Sequence, residues 1–199
     1  MLGLSRLQAA YEIVAIGSSA GGVKALIEIL GALPADFPVP LVIVQHMDPH
    51  HDTLLADILD RRSRLRIKLA EADDVVVPGV VYIAPPDRHL LVNPGGTLSL
   101  SVSDQVKYVR PSADLLFESV AAVYGLSALV CVLTGTGSDG AAGAGIVKSR
   151  GGTVVSEDPE TAAFKGMPQA VARAVAVDLV LPLDDIASAL ISLVKGTKP

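Results

Sequence analysis

The sequence predicts an α/β fold: a doubly wound, mostly parallel sheet with helices on both faces and an antiparallel hairpin. Three observations carry this expectation. Unbroken runs of Val, Ile and Leu recur along the chain, as strands buried on both faces require. Between them lie segments with apolar residues three and four apart, the spacing of helices packed on a sheet. In the middle, two short apolar stretches flank "NPGG" (93–96), a turn signal that fits a hairpin. A chain of 199 residues suits one domain, expected over 1–199 with its core from about 12 to 194. It is 50% hydrophobic and 19% charged, enough to bury a sizeable core and too apolar for disorder.

The elements follow in order. Residues 12–17, "EIVAIG", are a buried strand, and 22–33, "GVKALIEILGAL", place Val23, Leu26, Ile27 and Leu30 at helical spacing. "PLVIVQH" (40–46) is the second strand. "DTLLADILDRR" (52–62) is a helix with Asp52 or Thr53 as its cap. A third strand lies within "RIKLAEA" (66–72). "VVYIAPP" (80–86), "HLLVN" (89–93) and "TLSLSVS" (97–103) are short strands separated by turns. "SADLLFESVAAVYG" (112–125) is an amphipathic helix closed by Gly125. "SALVCVLT" (127–134) is a buried strand, and 138–151 is a helix closed by glycine. "GTVVSED" (152–158) and "VDLVLPL" (177–183) are the last strands, before a terminal helix over 184–195.

Composition excludes several classes of function. Net charge is −5, and the densest basic run, "RRSRLRIK" (61–68), has the look of a solvated helix end. Nucleic acid binding needs clustered Lys and Arg, so it is not expected. No apolar stretch reaches the roughly 18 residues of a membrane span, and the first residues do not form a signal peptide. Membrane insertion is not expected. The one cysteine, Cys131, supports no disulfide framework and fits a reducing cytoplasm. Neither an internal repeat nor a low-complexity tract is present.

In doubly wound folds, chemistry sits beyond the carboxyl ends of the strands. The first strand ends in "GSSAG" (17–21), which fits G-x-S-x-G with Ser19 at its centre and a helix directly after. Small flanking residues let the chain turn sharply and expose the Ser19 hydroxyl. The helix N-terminus offers free N–H groups to a developing oxyanion. The same turn could cradle a phosphate, or be a plain strand-to-helix connection. A dinucleotide fingerprint would need glycine at position 19, and a phosphate-binding P-loop would need a differently placed lysine than Lys24.

The second strand ends at Gln45 and His46, so His46 is placed to act as general base. His50, His51 and His89 are less well placed, and any single histidine is more often structural. The strand at 127–134 leads into "GTGSDGAAG" (135–143), where Asp139 is either a helix cap or the carboxylate that orients His46. Ala20, Gly21 and Thr136 belong to the turns that would hold the oxyanion. Three strand ends thus carry Ser, His and Asp. The order Ser19, His46, Asp139 differs from the Ser, acid, His order of the α/β-hydrolases. His46, His50 and His51 with Asp48 and Asp52 show no metal-ligand spacing, so neither a metal nor a cofactor is expected. The loop "SEDPETAAFKGMP" (156–168) follows another strand end and is expected to be solvated. Arg88 and Arg110 are expected at the surface.

"AIGSSAGGVKAL", "VIVQHM", "YIAPPDRHLLV", "RPSADLLFESVA", "VLTGTGSDGAAG" and "GGTVVSEDPETAAFKGMPQAV" stand in this order. Together they resemble the catalytic domain of chemotaxis protein-glutamate methylesterases, the CheB type, over nearly the whole chain. The resemblance implies a cytoplasmic enzyme that hydrolyses glutamate γ-methyl esters on the cytoplasmic region of methyl-accepting chemotaxis receptors. Many members also deamidate receptor glutamines. The family's serine, histidine and aspartate fall on Ser19, His46 and Asp139, and its fold is the doubly wound sheet with a hairpin. Many relatives have threonine where this chain has Ala20 and methionine where it has Thr136. Two alternatives stay open: a module acting on a non-chemotaxis signalling protein, and a catalytically silent binding module, against which the intact Ser19, His46 and Asp139 argue.

Most such relatives carry an N-terminal receiver domain that is held to cover the site until phosphorylation moves it. A receiver needs roughly 100 or more residues to make its own core. About a dozen residues precede the first strand here, so the chain is expected to work without a phosphodonor, any control coming from expression, from docking to a receptor or from a separate signalling partner protein. A methanol-release time course with and without a small-molecule phosphodonor checks this, and strict dependence contradicts it.

Overall fold

Ile13, Val14, Ala15 and Ile16 are all wholly buried, Val14 and Ile16 in one cluster of core residues and Ile13 and Ala15 in the other. A strand whose alternate side chains meet different cores must be covered on both faces. The computed structural model describes residues 11–51 and 53–197. The elements run β1 (Ile13–Ser18), α1 (Gly22–Ala32), β2 (Leu41–Gln45), α2 (Leu55–Asp60), β3 (Arg66–Leu69), β4 (Val80–Ile83), β5 (His89–Asn93) and β6 (Thr97–Ser101). They continue with α3 (Ala113–Tyr124), β7 (Ala128–Val132), α4 (Ala141–Ser149), β8 (Thr153–Glu157), α5 (Gly166–Ala174), β9 (Leu179–Leu181) and α6 (Leu183–Val194).

Seven strands form one parallel sheet in the order β3-β4-β2-β1-β7-β8-β9. Helices α1, α2 and α6 supply the core on one face, through Leu26, Leu59 and Leu190 among others. Helices α3, α4 and α5 cover the other, through Phe117, Val147 and Met167. The hairpin β5–β6 pairs antiparallel as a separate two-stranded sheet, and its Leu90, Val92 and Leu98 join this second core. The doubly wound fold with an antiparallel hairpin is therefore present. After β1 the chain adds β2, crosses to the edge at β3, steps back to place β4 between them, then returns to place β7 on the other side of β1. That reversal opens a crevice at the carboxyl ends of β1, β2 and β7.

Several boundaries differ from those expected, each for a local reason. Helix α2 begins only at Leu55, whose amide donates to Thr53 Oγ1 (3.1 Å). It ends at Asp60, whose carboxylate takes the Ile67 amide (3.0 Å) and turns the chain into β3. Asp52, the other expected cap, lies outside the described residues. Of the basic run, Arg66 and Lys68 belong to β3 rather than to a helix end. Helix α4 starts at Ala141, not 138, because Gly137 and Gly140 take left-handed φ values of 85° and 90°. Helix α5 was not expected. Its first turn carries Pro168, tolerated where no intrahelical amide partner is needed, and it buries Met167, Pro168 and Val171.

Helices α3 and α4 cross unusually closely. A Cβ on Gly143 would lie 2.6 Å from the Asp114 carbonyl oxygen and 2.8 Å from Phe117 Cβ. Gly143→Ala should gain about 1 kcal/mol of helix propensity and lose more to backbone displacement, for a net destabilisation of about 1–3 kcal/mol. Urea denaturation measures this, and an unchanged or raised midpoint would contradict the close crossing.

Candidate active site

The end of β1 is wired to β2 by one side chain. Ser18 is wholly buried, and its Oγ donates to Gln45 Oε1 (2.8 Å). Gln45 Nε2 donates in turn to the carbonyls of Ser19 and His46, both at 2.8 Å. The His46 amide donates to the Ser18 carbonyl (3.0 Å). His46 therefore leaves β2 directly beside Ser19. On the other flank, the Ser19 amide donates to the Thr134 carbonyl (3.0 Å), and Thr134 Oγ1 donates to the Ala20 carbonyl (3.0 Å). Removing the Ser18 hydroxyl would leave a buried amide oxygen of Gln45 without its donor.

Asp139 is 3% exposed and accepts four hydrogen bonds. His46 Nε2 (2.8 Å) and the Ala113 amide (2.6 Å) meet Oδ2; the Ser112 hydroxyl (2.8 Å) and the Asp114 amide (3.1 Å) meet Oδ1. Asp139 caps a helix, as one reading of the sequence allowed, but the helix is α3 and not the α4 that follows it. Burial pushes its carboxyl up. The bonds from His46, from the Ala113 and Asp114 amides and from Ser112 outweigh that and hold it below the usual carboxylate range. An ionised carboxylate only accepts, so the His46 proton of this bond sits on Nε2. The neutral imidazole then presents its lone pair at Nδ1.

Of the three residues singled out, His46 and Asp139 are joined directly. Ser19 is held next to His46 through the backbone, and among the described residues its Oγ makes no hydrogen bond. The 135–137 loop lies against Ser19: a Cβ on Gly135 would sit 2.8 Å from Ser19 Cβ. Among the described residues, the amides of Ala20, Gly21, Thr136 and Gly137 donate to no acceptor within the chain. Thr136 and Gly21 are exposed and Ala20 is half-buried. A cavity of about 70 Å³ opens beside His46, walled by Met47, Tyr108 and Val109 among others.

The remaining candidates have structural partners. His89 is wholly buried, accepting the Ser112 amide at Nδ1 (3.1 Å) and facing the Asp104 carbonyl at Nε2 (3.1 Å). His51 lies 3.0 Å from Asp48, both exposed. Arg110 is not a free surface group: its Nε and guanidinium meet Asp87 Oδ1 at 2.8 and 2.7 Å, and it donates to the Val102 and Ser103 carbonyls. The 156–168 loop is not wholly solvated either. Glu157 is 2% exposed and accepts the Thr134 amide (2.7 Å); burial pushes its carboxyl up, partly offset by that bond. Ser112 and Gln45, which orient Asp139 and Ser19, carried no catalytic signal of their own. Their only clue was their place inside "RPSAD" and "IVQH".

The chain matches the CheB methylesterase family model over residues 14–190. A putative protein-glutamate methylesterase/protein-glutamine glutaminase of Leptospira interrogans is 42% identical over 183 residues, covering 92% of this chain and 95% of that protein. Protein-glutamate methylesterase/protein-glutamine glutaminase 1 of Saccharophagus degradans is 39% identical over 188 residues, covering 94% of this chain and 52% of that one. The chain thus spans nearly all of one relative and about half of the other. The crystal structure of the Thermotoga maritima CheB methylesterase catalytic domain superposes with a TM-score of 0.88 at 44% identity, covering 92% of this chain and 99% of that one. The chain belongs to the CheB methylesterase family.

The Asp139 carboxylate has a linked effect on stability. Its folded-state value is depressed, so its contribution is complete above the unfolded-state value of about 3.9 and is lost as pH falls through the folded value. Asp139→Asn should cost about 1.5–3 kcal/mol at pH 7. Denaturant midpoints across pH 7 to 3 should show that gap narrowing below about pH 4. A gap that stays constant to the acid end would contradict this.

Proposed function

We propose that this CheB-family chain hydrolyses glutamate γ-methyl esters on the cytoplasmic region of methyl-accepting chemotaxis receptors, with Ser19 as nucleophile, His46 as base and Asp139 as the group that orients His46. The observation that carries this reading is the 2.8 Å bond from His46 Nε2 to a buried, four-fold hydrogen-bonded Asp139, at the strand end beside Ser19.

His46 Nδ1 takes the proton of Ser19 as Oγ attacks the ester carbonyl; the Ser19–His46 hydrogen bond closes in the substrate complex. The amides of Ala20 and Thr136 face the developing oxyanion, each such donor contributing about 2.7–4 kcal/mol to barrier lowering. The amide supplies the donor whatever the side chain, so Thr136 in place of methionine leaves that role intact. The protonated His46 passes its proton to the leaving methoxide, giving methanol and an acyl-enzyme. Water, deprotonated at Nδ1, then attacks the acyl carbon, releasing glutamate and restoring Ser19. Throughout, Asp139 stays ionised and keeps the Nε2 proton in place. The same cycle on a glutamine side chain releases ammonia, a deamidation. A cytoplasmic location is part of the proposal, because the receptor region carrying these glutamates faces the cytoplasm.

The test is methanol release from methylated receptor preparations. Ser19→Ala should lower turnover by about a thousandfold or more with unchanged circular dichroism. Asp139→Asn should lower it on the order of 10⁴-fold. Near-normal turnover by Ser19→Ala would overturn the assignment. Turnover on a different methylated protein but not on receptors would redirect the substrate while keeping the chemistry.

A further inference from the structure

The loop between β6 and α3 takes no part in the reaction as written, yet it is fastened to the site. Val106 and Val109 exchange backbone hydrogen bonds (3.1 and 3.0 Å) around Lys107 and Tyr108. Those two residues have φ values of 51° and 67°, a left-handed pair usually made by Asn-Gly because a Cβ is disfavoured there. Strain of this kind persists only where the surroundings over-determine it. Tyr108 is 94% exposed and holds nothing down.

Lys107 is fastened at two points. Its Nζ donates to the Ser138 carbonyl (2.9 Å), the peptide directly before Asp139. The same Nζ lies 2.7 Å from Asp114 Oδ2, an ion pair without the angle of a directed hydrogen bond. Among the described residues no other group meets that oxygen. The Asp114 side chain is only 9% exposed, so its charge is costly without a partner. Asp114 is also part of the site's frame. Its Oδ1 accepts the Gly143 amide (2.8 Å), and its own amide donates to Asp139 Oδ1. At the far end of the loop, Arg110 fixes the chain to Asp87.

We propose that Lys107 is a positioning residue for ester hydrolysis: by gripping the Ser138 carbonyl and Asp114 together, it fixes the peptide that carries Asp139 and so keeps His46 aligned with Ser19. This rests on the function proposed above. Lys107 touches neither His46 nor Ser19, and acts only through the loop and Asp114.

Steady-state methanol release tests it, with thermal denaturation of every variant. Lys107→Met should lower kcat about 10- to 100-fold, the effect of a small misplacement of catalytic groups, with KM within about twofold of wild type. Lys107→Arg should recover most of kcat, because a guanidinium still reaches both oxygens. Where Lys107→Met unfolds for want of a partner to Asp114, the double variant Lys107→Met/Asp114→Asn removes both charges and is read instead; it should still lose kcat, the Ser138 tether being gone. A raised KM with kcat unchanged would make Lys107 a substrate contact and overturn the proposal. So would a lowered melting temperature with wild-type kcat in the folded fraction. Ser19→Ala is run alongside: if it retains turnover, the reading of the reaction falls and the clamp with it. If Ser19→Ala is inactive and Lys107→Met keeps wild-type kcat, the clamp alone is wrong.

Discussion

A carboxylate taken out of water is costly unless its lone pairs are met, and Asp139 is met by four donors from two distant parts of the chain, His46 and residues 112–114. Two of the donors are the first amides of α3, one is the Ser112 hydroxyl and one is His46 Nε2. The same charge therefore ties down a helix start, the 135–140 loop and the imidazole. Helix α3 must run close to α4 for its amides to reach Asp139, and Gly143 permits that crossing. The loop must double back at Gly137 and Gly140, where the left-handed backbone suits glycine. His89 accepts the Ser112 amide and so holds the residue that holds Asp139.

The sheet supplies the second half of the arrangement. Parallel pairing of β1 with β2 sets Ser18 opposite Gln45, and the next residues on each strand are Ser19 and His46. Gln45 converts that register into a fixed distance by donating to both of their carbonyls. On the other side, β7 delivers Thr134 to the Ser19 amide. Three strand ends meet because the winding reverses at β1. No single element could bring these groups together, and their sequence separations of 27 and 93 residues carry no local signal.

Much of the fold was legible because its strands are buried on both faces and so appear as unbroken apolar runs. The hairpin was legible from "NPGG", and Gly125 does close α3. The start of α4 was less so: Ser138, Asp139 and Gly140 are cap and turn types rather than helix formers, and the left-handed Gly140 delays the helix to Ala141. Helix α5 was hidden behind a charged and proline-containing stretch whose apolar face, Met167 and Val171, is short. At the site, Ser19, His46 and Asp139 stood out as chemistry-bearing types at strand ends. Gln45, Ser112, Asp114 and Lys107 did not, because their part is to orient neighbours, and that depends on contacts between distant segments. Asp139 as the cap of α3 was likewise invisible, since a cap is sought at the helix that follows.

The imidazole is held the opposite way round from the serine proteases, in which Nδ1–H faces the aspartate and Nε2 is the base. Here the aspartate takes Nε2–H, and among the described residues Nδ1 makes no hydrogen bond. The two ring nitrogens are distinct in ¹H–¹⁵N correlation spectra, so nitrogen NMR of the resting enzyme at neutral pH tests the account at its centre. Neutral His46 should carry its proton on Nε2, and Asp139→Ala should release that preference. A resting His46 protonated on Nδ1, or one whose tautomer ignores the loss of Asp139, would contradict the account.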